Sequence, residues 1–255
     1  MVGAVRRPLR LLHTADLHVA GGFTTPKSCG GGHECLCSIL SVERMVAEHE
    51  VDALLVAGDL FDHGRVPAGL VAEVFDVLAR LPVPCVLLAG NHDVHDAAGI
   101  YRRHADEVSR AGVHFLADGL GSTLELFDGA LTLWGKAMDE HSPAYRPLHG
   151  VAPRPDESWY VVLGHGHYVG DVPPEREMRS SPITAPDIAA TRADYVALGH
   201  WHVTTDVSED GVAAWYPGSP VQSWADGSAL LVELDPGAGV DVTALPIGPV
   251  GDGCR

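Results

Sequence analysis

The sequence predicts an α/β fold in which mixed β-sheets are covered by helices, and three observations support this prediction. Five short apolar runs end abruptly at polar residues, as strands buried on both faces of a sheet do. Segments with helical periodicity lie between the first of these runs, so strands and helices alternate. Two later stretches, 113–135 and 203–246, have the pattern of short strands joined by turns.

The five apolar runs are predicted to be buried strands that carry polar residues at their carboxyl ends. They are LRLLHTADLH (9–18), VDALLVAGDLFD (51–62), VPCVLLAGNHD (83–93), WYVVLGHGH (159–167) and YVALGHWH (195–202). Three helices are predicted at 38–50, 67–81 and 98–112. The first has apolar residues at i, i+3, i+4 and i+7; the second begins with a proline, and the third ends in a glycine.

The size and composition predict one domain over residues 1–255. The chain has 255 residues, of which 46% are hydrophobic, and this is enough for one sizeable core. No linker, low-complexity stretch or repeat of fixed period divides it, and the terminal GPVGDGCR is expected to fray.

The net charge and the lengths of the apolar runs limit the kinds of partner that we expect for this chain. The formal net charge is −17 with only 17 Lys and Arg, which disfavours tight, unaided binding of nucleic acid. Bound divalent cations would reverse the sign locally. No apolar run approaches the roughly 20 residues that span a bilayer, and no signal peptide is recognised, so we expect a cytoplasmic protein without a membrane partner.

The cysteines predict a reduced chain, because five is an odd number: Cys29, Cys35, Cys37, Cys85 and Cys254. Four residues of the segment 28–37 (three of these cysteines and His33) leave three interpretations open. They could bind a structural zinc, although the C-x-C spacing is poor for one tetrahedral site. The spacing favours a glycine-rich loop that ends at a helix start, with Cys37 in the core. The loop could also recognise substrate, since it follows Asp16 and His18.

The polar residues that follow the predicted strands indicate a metal site, because ligands of open α/β sheets bind beyond the carboxyl ends of strands. They are Asp16, His18, Asp59, Asn91, His92, Asp93, His165, His200 and His202. Imidazole and carboxylate together suit Mn, Fe or Zn better than Ca or Mg. These side chains offer more ligands than one ion requires, whereas two ions that share a bridging carboxylate would use them.

The motifs DLH, GDLFD, GNHD, GH and GHWH, in this order, resemble the calcineurin-like metallophosphoesterase superfamily. The segments HTADLH, VDALLVAGDLFD, YVALGHWH and YPGSP are most similar to the SbcD/Mre11 nuclease branch. The resemblance implies two mixed β-sheets packed as a sandwich with helices on the outer faces. It also implies a two-metal phosphoesterase that hydrolyses a phosphodiester, such as DNA, by attack of a metal-bridging hydroxide.

The resemblance also implies a role for each motif residue. Asp16, His18 and His202 would bind the first ion, Asn91, His165 and His200 the second, and Asp59 would bridge both. His92 would bind the phosphate or protonate the leaving oxygen, and Asp93 would orient His92. We expect two divalent ions, with Mn first and Fe, Zn or Ni as alternatives.

Other residues and functions remain open at this point. His167 could replace His165 as a ligand or line the pocket, and Ser219, Arg146 and His33 are further candidates for substrate contacts. SbcD and Mre11 proteins also carry a capping domain and a tail that docks on a coiled-coil ATPase, and neither is recognised here. The alternatives to a nuclease are therefore a small-molecule phosphatase or phosphodiesterase and a non-catalytic metal-binding scaffold.

Overall fold

The computed structural model of the chain describes residues 6–21, 36–171, 179–220 and 227–247. In chain order the strands are β1 (Leu9–Thr14), β2 (Ala53–Ala57), β3 (Cys85–Leu88), β4 (His114–Phe115), β5 (Ser122–Leu126), β6 (Leu131–Gly135), β7 (Trp159–His165), β8 (His167–Gly170), β9 (Pro182–Thr184), β10 (Tyr195–Gly199), β11 (Thr204–Asp206), β12 (Ala213–Pro217), β13 (Gly227–Asp235) and β14 (Gly239–Ile247). The helices are α1 (Cys37–Glu48), α2 (Ala68–Ala79), α3 (Ile100–Arg103), α4 (Ala105–Arg110) and α5 (Ala185–Thr191).

Two six-stranded mixed sheets form the framework. The first has the order β14-β13-β1-β2-β3-β4, in which β1 to β4 are parallel and β13 and β14 are antiparallel. The second has the order β11-β12-β10-β7-β6-β5, with antiparallel strands at both edges. Strands β8 and β9 form a separate two-stranded parallel sheet. The predicted strands at 113–135 and 203–246 are confirmed.

The two sheets pack face to face. Side chains alternate between the faces of a strand, so Leu11 and Leu55 point into the core between the sheets, where they join Val161 of the second sheet. Leu12 and Leu54, one position away, pack against the outer helices instead. This burial on both faces explains why the strands are continuous apolar runs rather than alternating ones.

Helices cover both outer faces, which confirms the predicted architecture. Helices α1, α2 and α4 pack on the first sheet, and α5 packs on the second. The predicted third helix is divided into α3 and α4 at His104. Helix α5 was not predicted; it begins with a capping box in which the Thr184 hydroxyl accepts from the Asp187 N–H and the Asp187 carboxylate accepts from the Thr184 N–H.

A buried histidine, His13, joins the two sheets. The Tyr195 hydroxyl on β10 donates to Nδ1 of His13 on β1 (2.8 Å), and Nε2 of His13 donates to the carbonyl of Leu198 (3.1 Å). Burial lowers the pKa of His13 to about 3, although the hydrogen bond to Leu198 opposes this shift. His13 is therefore a neutral structural residue at neutral pH.

The cysteine prediction needs a correction. Cys37 is disulfide-bonded, whereas the odd cysteine count had indicated a reduced chain. A count cannot show which cysteines meet in space, because pairing depends on distances that the fold sets. Cys85 is free and buried. Cys29, His33 and Cys35 lie outside the described residues, so the interpretations of their loop remain predictions. Within the described ranges, no helix is long and apolar enough to cross a membrane.

Candidate metal centre

The seven predicted metal residues meet at one edge of the sandwich. Each follows or ends a parallel strand: Asp16 and His18 follow β1, Asp59 follows β2, Asn91 follows β3, His165 ends β7, and His200 and His202 follow β10. Because β1, β2 and β3 are parallel, as are β7 and β10, their carboxyl ends lie together. The structure therefore brings together residues that are up to 186 positions apart in the sequence (16 to 202).

The backbone at this edge is unusual. Asp16, His18, Asp59 and His200 have positive φ angles of 56°, 46°, 52° and 115°. Residues other than glycine rarely adopt such angles, and they persist where the surrounding structure imposes them, often at functional sites. The residue before Asp59 must also be a glycine, because a Cβ at position 58 would lie only 2.2 Å from Nδ1 of His165.

Asp16, His18 and His202 form one group of potential ligands. The Nε2 atoms of the two histidines lie 3.1 Å apart. Oδ1 of Asp16 lies 3.8 Å from Nε2 of His18 and 3.7 Å from Nε2 of His202. The other oxygen of Asp16 accepts a hydrogen bond from the backbone N–H of His200 (2.9 Å), which fixes the carboxylate.

Asn91, His165 and His200 form the second group. Oδ1 of Asn91 lies 3.0 Å from Nε2 of His165 and 2.8 Å from Nδ1 of His200. Nδ1 of His165 donates to the carbonyl of Ala57, which leaves Nε2 unprotonated in the neutral ring and turned toward the site. Of the two histidines His165 and His167, it is therefore His165 that contacts Asn91.

Asp59 lies between the two groups. Its Oδ2 is 3.3 Å from Nε2 of His165 in one group and 3.9 Å from Nε2 of His18 in the other. Its Oδ1 accepts from the backbone N–H of His92 (2.8 Å). A carboxylate that contacts both groups has the position required of a bridging ligand.

The donor set fits divalent cations. Asp16 and Asp59 are at most 1% exposed, and Oδ1 of Asp16 is buried with no hydrogen-bond partner in the described part of the chain. An unpaired buried carboxylate oxygen is costly unless a cation compensates it. Imidazole nitrogens with carboxylate and amide oxygens are the ligands that Mn, Fe and Zn accept. Residues of both groups could therefore hold metal.

The charges of the site shift its pKa values in opposite directions. Burial raises the pKa of Asp59, but the nearby imidazole of His165 outweighs this and holds the pKa well below its usual range. Burial lowers the pKa of His165, but Asp59 raises it to about 9. Burial and the positive charge of His165 lower the pKa of His200 to about 3. Asp59 is thus ionised and His200 neutral at neutral pH, as metal ligands must be, whereas a bound cation would have to displace the proton of His165.

His92 lies at the opening of the site, but Asp93 does not orient it as predicted. The His92 side chain is 42% exposed. Asp62 contacts its ring: the Asp62 carbonyl is 2.7 Å, and its carboxylate Oδ1 3.6 Å, from Nδ1. Asp93 is buried, and its carboxylate accepts from the N–H groups of Gly90 and Phe61 and from the hydroxyl of Tyr101. Asp93 therefore supports the backbone beneath the site.

Two predicted substrate contacts lie elsewhere. Ser219 is fully buried, and its hydroxyl donates to the carbonyl of Asp16 (2.8 Å), so it supports the loop that carries a ligand. The Arg146 guanidinium donates to the carbonyl of Pro143 within its own loop. His33 lies outside the described residues. His167 does line the site: its ring centroid is 5.8 Å from that of His200.

A further histidine, His141, lies near the site and was not predicted from the sequence. Burial lowers its pKa, and His165, Asp59 and His92 are among the charged groups near enough to contribute to this shift. The loop is fixed on both sides of it, because His95 N–H donates to the Met138 carbonyl (2.7 Å) and Ser181 N–H donates to the Ser142 carbonyl (2.9 Å). A histidine in the polar segment DEHSPAYRP was the available signal.

A two-sheet sandwich with a carboxylate–imidazole cluster at its parallel strand ends defines a metal-dependent phosphoesterase. The chain belongs to the calcineurin-like phosphoesterase family, whose model matches residues 9–204, and its members are phosphoric ester hydrolases that bind divalent metals.

The comparisons also confirm the resemblance to the Mre11/SbcD branch. The chain is 27% identical over 231 residues to the DNA double-strand break repair protein Mre11 of Methanopyrus kandleri, covering 83% of this chain and 49% of that protein. It is 28% identical over 179 residues to a probable cyclic nucleotide phosphodiesterase of Rhodopseudomonas palustris, covering 64% and 61%. A crystal structure from Thermus thermophilus superposes with a TM-score of 0.61 at 12% identity, covering 94% and 99%, which supports the fold. The chain spans about half the length of the Mre11 relative.

Proposed function

We propose that this chain is a two-metal phosphodiesterase that cleaves phosphodiester bonds of nucleic acid. The observation that carries the proposal is the position of Asp59, whose Oδ2 faces His18 of one ligand group and His165 of the other. Two divalent ions held there, with Mn as the first candidate, would neutralise phosphate charge and lower the pKa of a water nucleophile.

His92 supplies the proton that the leaving oxygen requires. Its side chain is partly exposed, so it can reach a substrate, and its backbone N–H is held by Asp59 at 2.8 Å. The Asp62 carbonyl accepts from Nδ1–H, so Nε2 is the nitrogen that faces the substrate, and it carries the transferable proton when the ring is an imidazolium. Together these contacts place the imidazole beside the ligand groups without requiring it to bind metal. General acid catalysis by His92 is the role that this geometry supports best.

A small nucleotide is the second candidate substrate. The net charge of −17 opposes the binding of a long polyanion, and one relative that the chain resembles is a probable cyclic nucleotide phosphodiesterase. Both candidates share the same reaction at the metal centre. They differ in whether the enzyme acts on a polymer.

One experiment separates the candidates. Mn-loaded protein is given end-labelled single- and double-stranded DNA, cyclic nucleotides and a simple aryl phosphodiester, at low and moderate salt, with His92→Ala as the control. DNA cleavage that the variant loses supports the nuclease. Intact DNA with hydrolysed cyclic nucleotide or aryl ester supports the small-nucleotide enzyme. If the protein binds two ions but hydrolyses none of these substrates, the proposal is overturned in favour of a non-catalytic scaffold.

A further inference from the structure

Two loops of the candidate metal centre are held together by one buried carboxylate. They are the β2 loop (58–62), which follows β2, and the β3 loop (90–93), which follows β3. Asp93 is 1% exposed, and its Oδ1 accepts a hydrogen bond from the backbone N–H of Gly90 (2.7 Å) within the β3 loop. Its Oδ2 accepts from the backbone N–H of Phe61 (3.2 Å) in the β2 loop. Asp93 therefore fixes the position of one loop relative to the other.

The same two loops meet a second time, at Asp59. Oδ1 of Asp59 in the β2 loop accepts from the backbone N–H of His92 in the β3 loop (2.8 Å). The loops approach closely here, because a Cβ at position 90 would lie only 2.2 Å from this oxygen. The other oxygen of Asp59, Oδ2, faces His18 and His165. A shift of one loop against the other would therefore move the carboxylate that faces both ligand groups.

Tyr101 connects this arrangement to helix α3. Its hydroxyl donates to Oδ2 of Asp93, the oxygen that also accepts from Phe61. Tyr101 is 2% exposed, and its ring packs against the rings of Phe61 and Phe115, with centroid distances of 6.1 Å and 4.5 Å. This packing fixes the ring, so the hydroxyl holds the carboxylate in one position. Hydrogen bonds to a carboxylate are roughly twice as strong as those between neutral groups, so Tyr101 contributes strongly to the position of Asp93.

We propose that Tyr101 is a positioning residue for the metal centre. Through Asp93 it sets the alignment of the β2 and β3 loops, and thereby the distance between Asp59 and Asn91. The proposal rests on the proposed function, because it concerns two ions that share Asp59. Each ligand group retains its own side chains without the phenol hydroxyl, whereas the shared carboxylate depends on the alignment. Loss of the hydroxyl is therefore expected to weaken the binding of the second ion more than that of the first.

The test is the substitution Tyr101→Phe, which keeps the ring and its packing but removes the hydroxyl. Mn binding is measured by titration and by EPR spectroscopy, in which two Mn ions that share a ligand give an exchange-coupled signal. We expect the wild type to give this signal at two Mn per chain. In Tyr101→Phe the weaker Mn site is expected to lose about tenfold in affinity, as when a group that orients a ligand is removed. The coupled signal should decrease at the same Mn concentration.

Tyr160→Phe is the matched control. Tyr160 is also fully buried, and its hydroxyl donates to the carbonyl of Ala152 (2.8 Å). It is the second residue of β7, and His165 is the last, so the same chemical change is made away from the metal centre. Denaturant unfolding of the metal-free proteins measures the structural cost of each substitution separately from Mn binding.

The outcomes are distinct from those that test the proposed function. Weaker Mn binding and a smaller coupled signal in Tyr101→Phe, but not in Tyr160→Phe, support the positioning role. Wild-type affinity and signal in Tyr101→Phe, or the same weakening in both variants, overturn it. If the wild type gives the coupled signal but hydrolyses no phosphodiester, the proposed function fails, and the comparison of the variants still decides the role of Tyr101. A wild type that binds Mn without the coupled signal overturns both.

Discussion

Oδ1 of Asp62 lies 3.1 Å from Nδ1 of His18. The same carboxylate oxygen is 3.6 Å from Nδ1 of His92, and the two imidazole rings pack edge to face with centroids 4.6 Å apart. The hydrogen bond from His18 holds the pKa of Asp62 below its usual range, so the carboxylate is ionised at neutral pH. One carboxylate therefore orients both a potential metal ligand and the proposed proton donor.

Asp62→Asn is expected to reduce both metal affinity and turnover. Carboxylates that orient ligating histidines typically contribute 10–100-fold to affinity or activity, so we expect losses of roughly that size. Mn titration and kcat measured at saturating Mn separate the two effects. Asp76→Asn, a 62% exposed carboxylate that pairs with Arg110, serves as the control. Wild-type values for both quantities would show that Asp62 orients neither histidine.

Asp59→Asn is expected to lose metal and activity. The substitution removes the negative charge of Asp59, which faces both ligand groups. Metal analysis of the purified variant is the measurement, with wild-type protein loaded in parallel. Two ions per chain in the variant would contradict the bridging role.

His92→Ala is expected to retain metal but to lose turnover by about 10²–10⁴-fold, as the removal of a general acid does. The readout is kcat, with metal content measured on the same sample. His149→Ala is a suitable control, since its side chain is 60% exposed and pairs with Asp187. Near-normal kcat in His92→Ala would remove the residue from the mechanism.

His141→Gln is expected to raise KM by about fivefold with a smaller change in kcat, through the loss of one hydrogen bond to the substrate. The anchored loop brings His141 near His165, Asp59 and His92. Steady-state kinetics with an aryl phosphodiester would show the effect. An unchanged KM would mean that His141 does not contact the substrate.

The buried His13 is expected to make stability depend on pH. In the unfolded chain this histidine binds a proton below about 6.5, whereas in the folded chain its pKa is lowered to about 3. Unfolding therefore takes up a proton between these values, and stability that is present above pH 6.5 is lost as the pH falls toward 3. From pH 7 to pH 5 the loss is about 2 kcal/mol.

Denaturant unfolding of the wild type and His13→Gln at several pH values tests this. The variant lacks the titrating ring, so the difference in free energy of unfolding between the two proteins should shrink as the pH falls from 7 to 5. A difference that stays constant over this range would show that His13 does not titrate with the lowered pKa.

Much of the fold was predictable from local patterns. Strands buried on both faces produce continuous apolar runs, and those runs identified β1, β2, β3, β7 and β10. Helix α5 was missed because its seven residues are too short for a clear helical period. The break between α3 and α4 at His104 was also missed, since the apolar pattern continues across it.

The candidate site was predictable where residue type and strand end coincide. All seven potential ligands were recognised this way, because parallel strands bring their carboxyl ends to one edge. His141 lies on a segment without such a marker. It comes near the site only through contacts between distant segments, such as the hydrogen bond from Ser181 to Ser142.

The sequence by itself determined the strands, the order of the motifs and the donor atoms available at the strand ends. Only the tertiary structure decided which carboxylate orients His92. Asp62 and Asp93 both lie close to motif residues in the sequence, but Asp93 turns inward to Tyr101 while Asp62 faces His18 and His92. The reason is physical: the direction of a side chain after a strand depends on the local φ angles and on what it packs against, and both are set by residues far away in the chain.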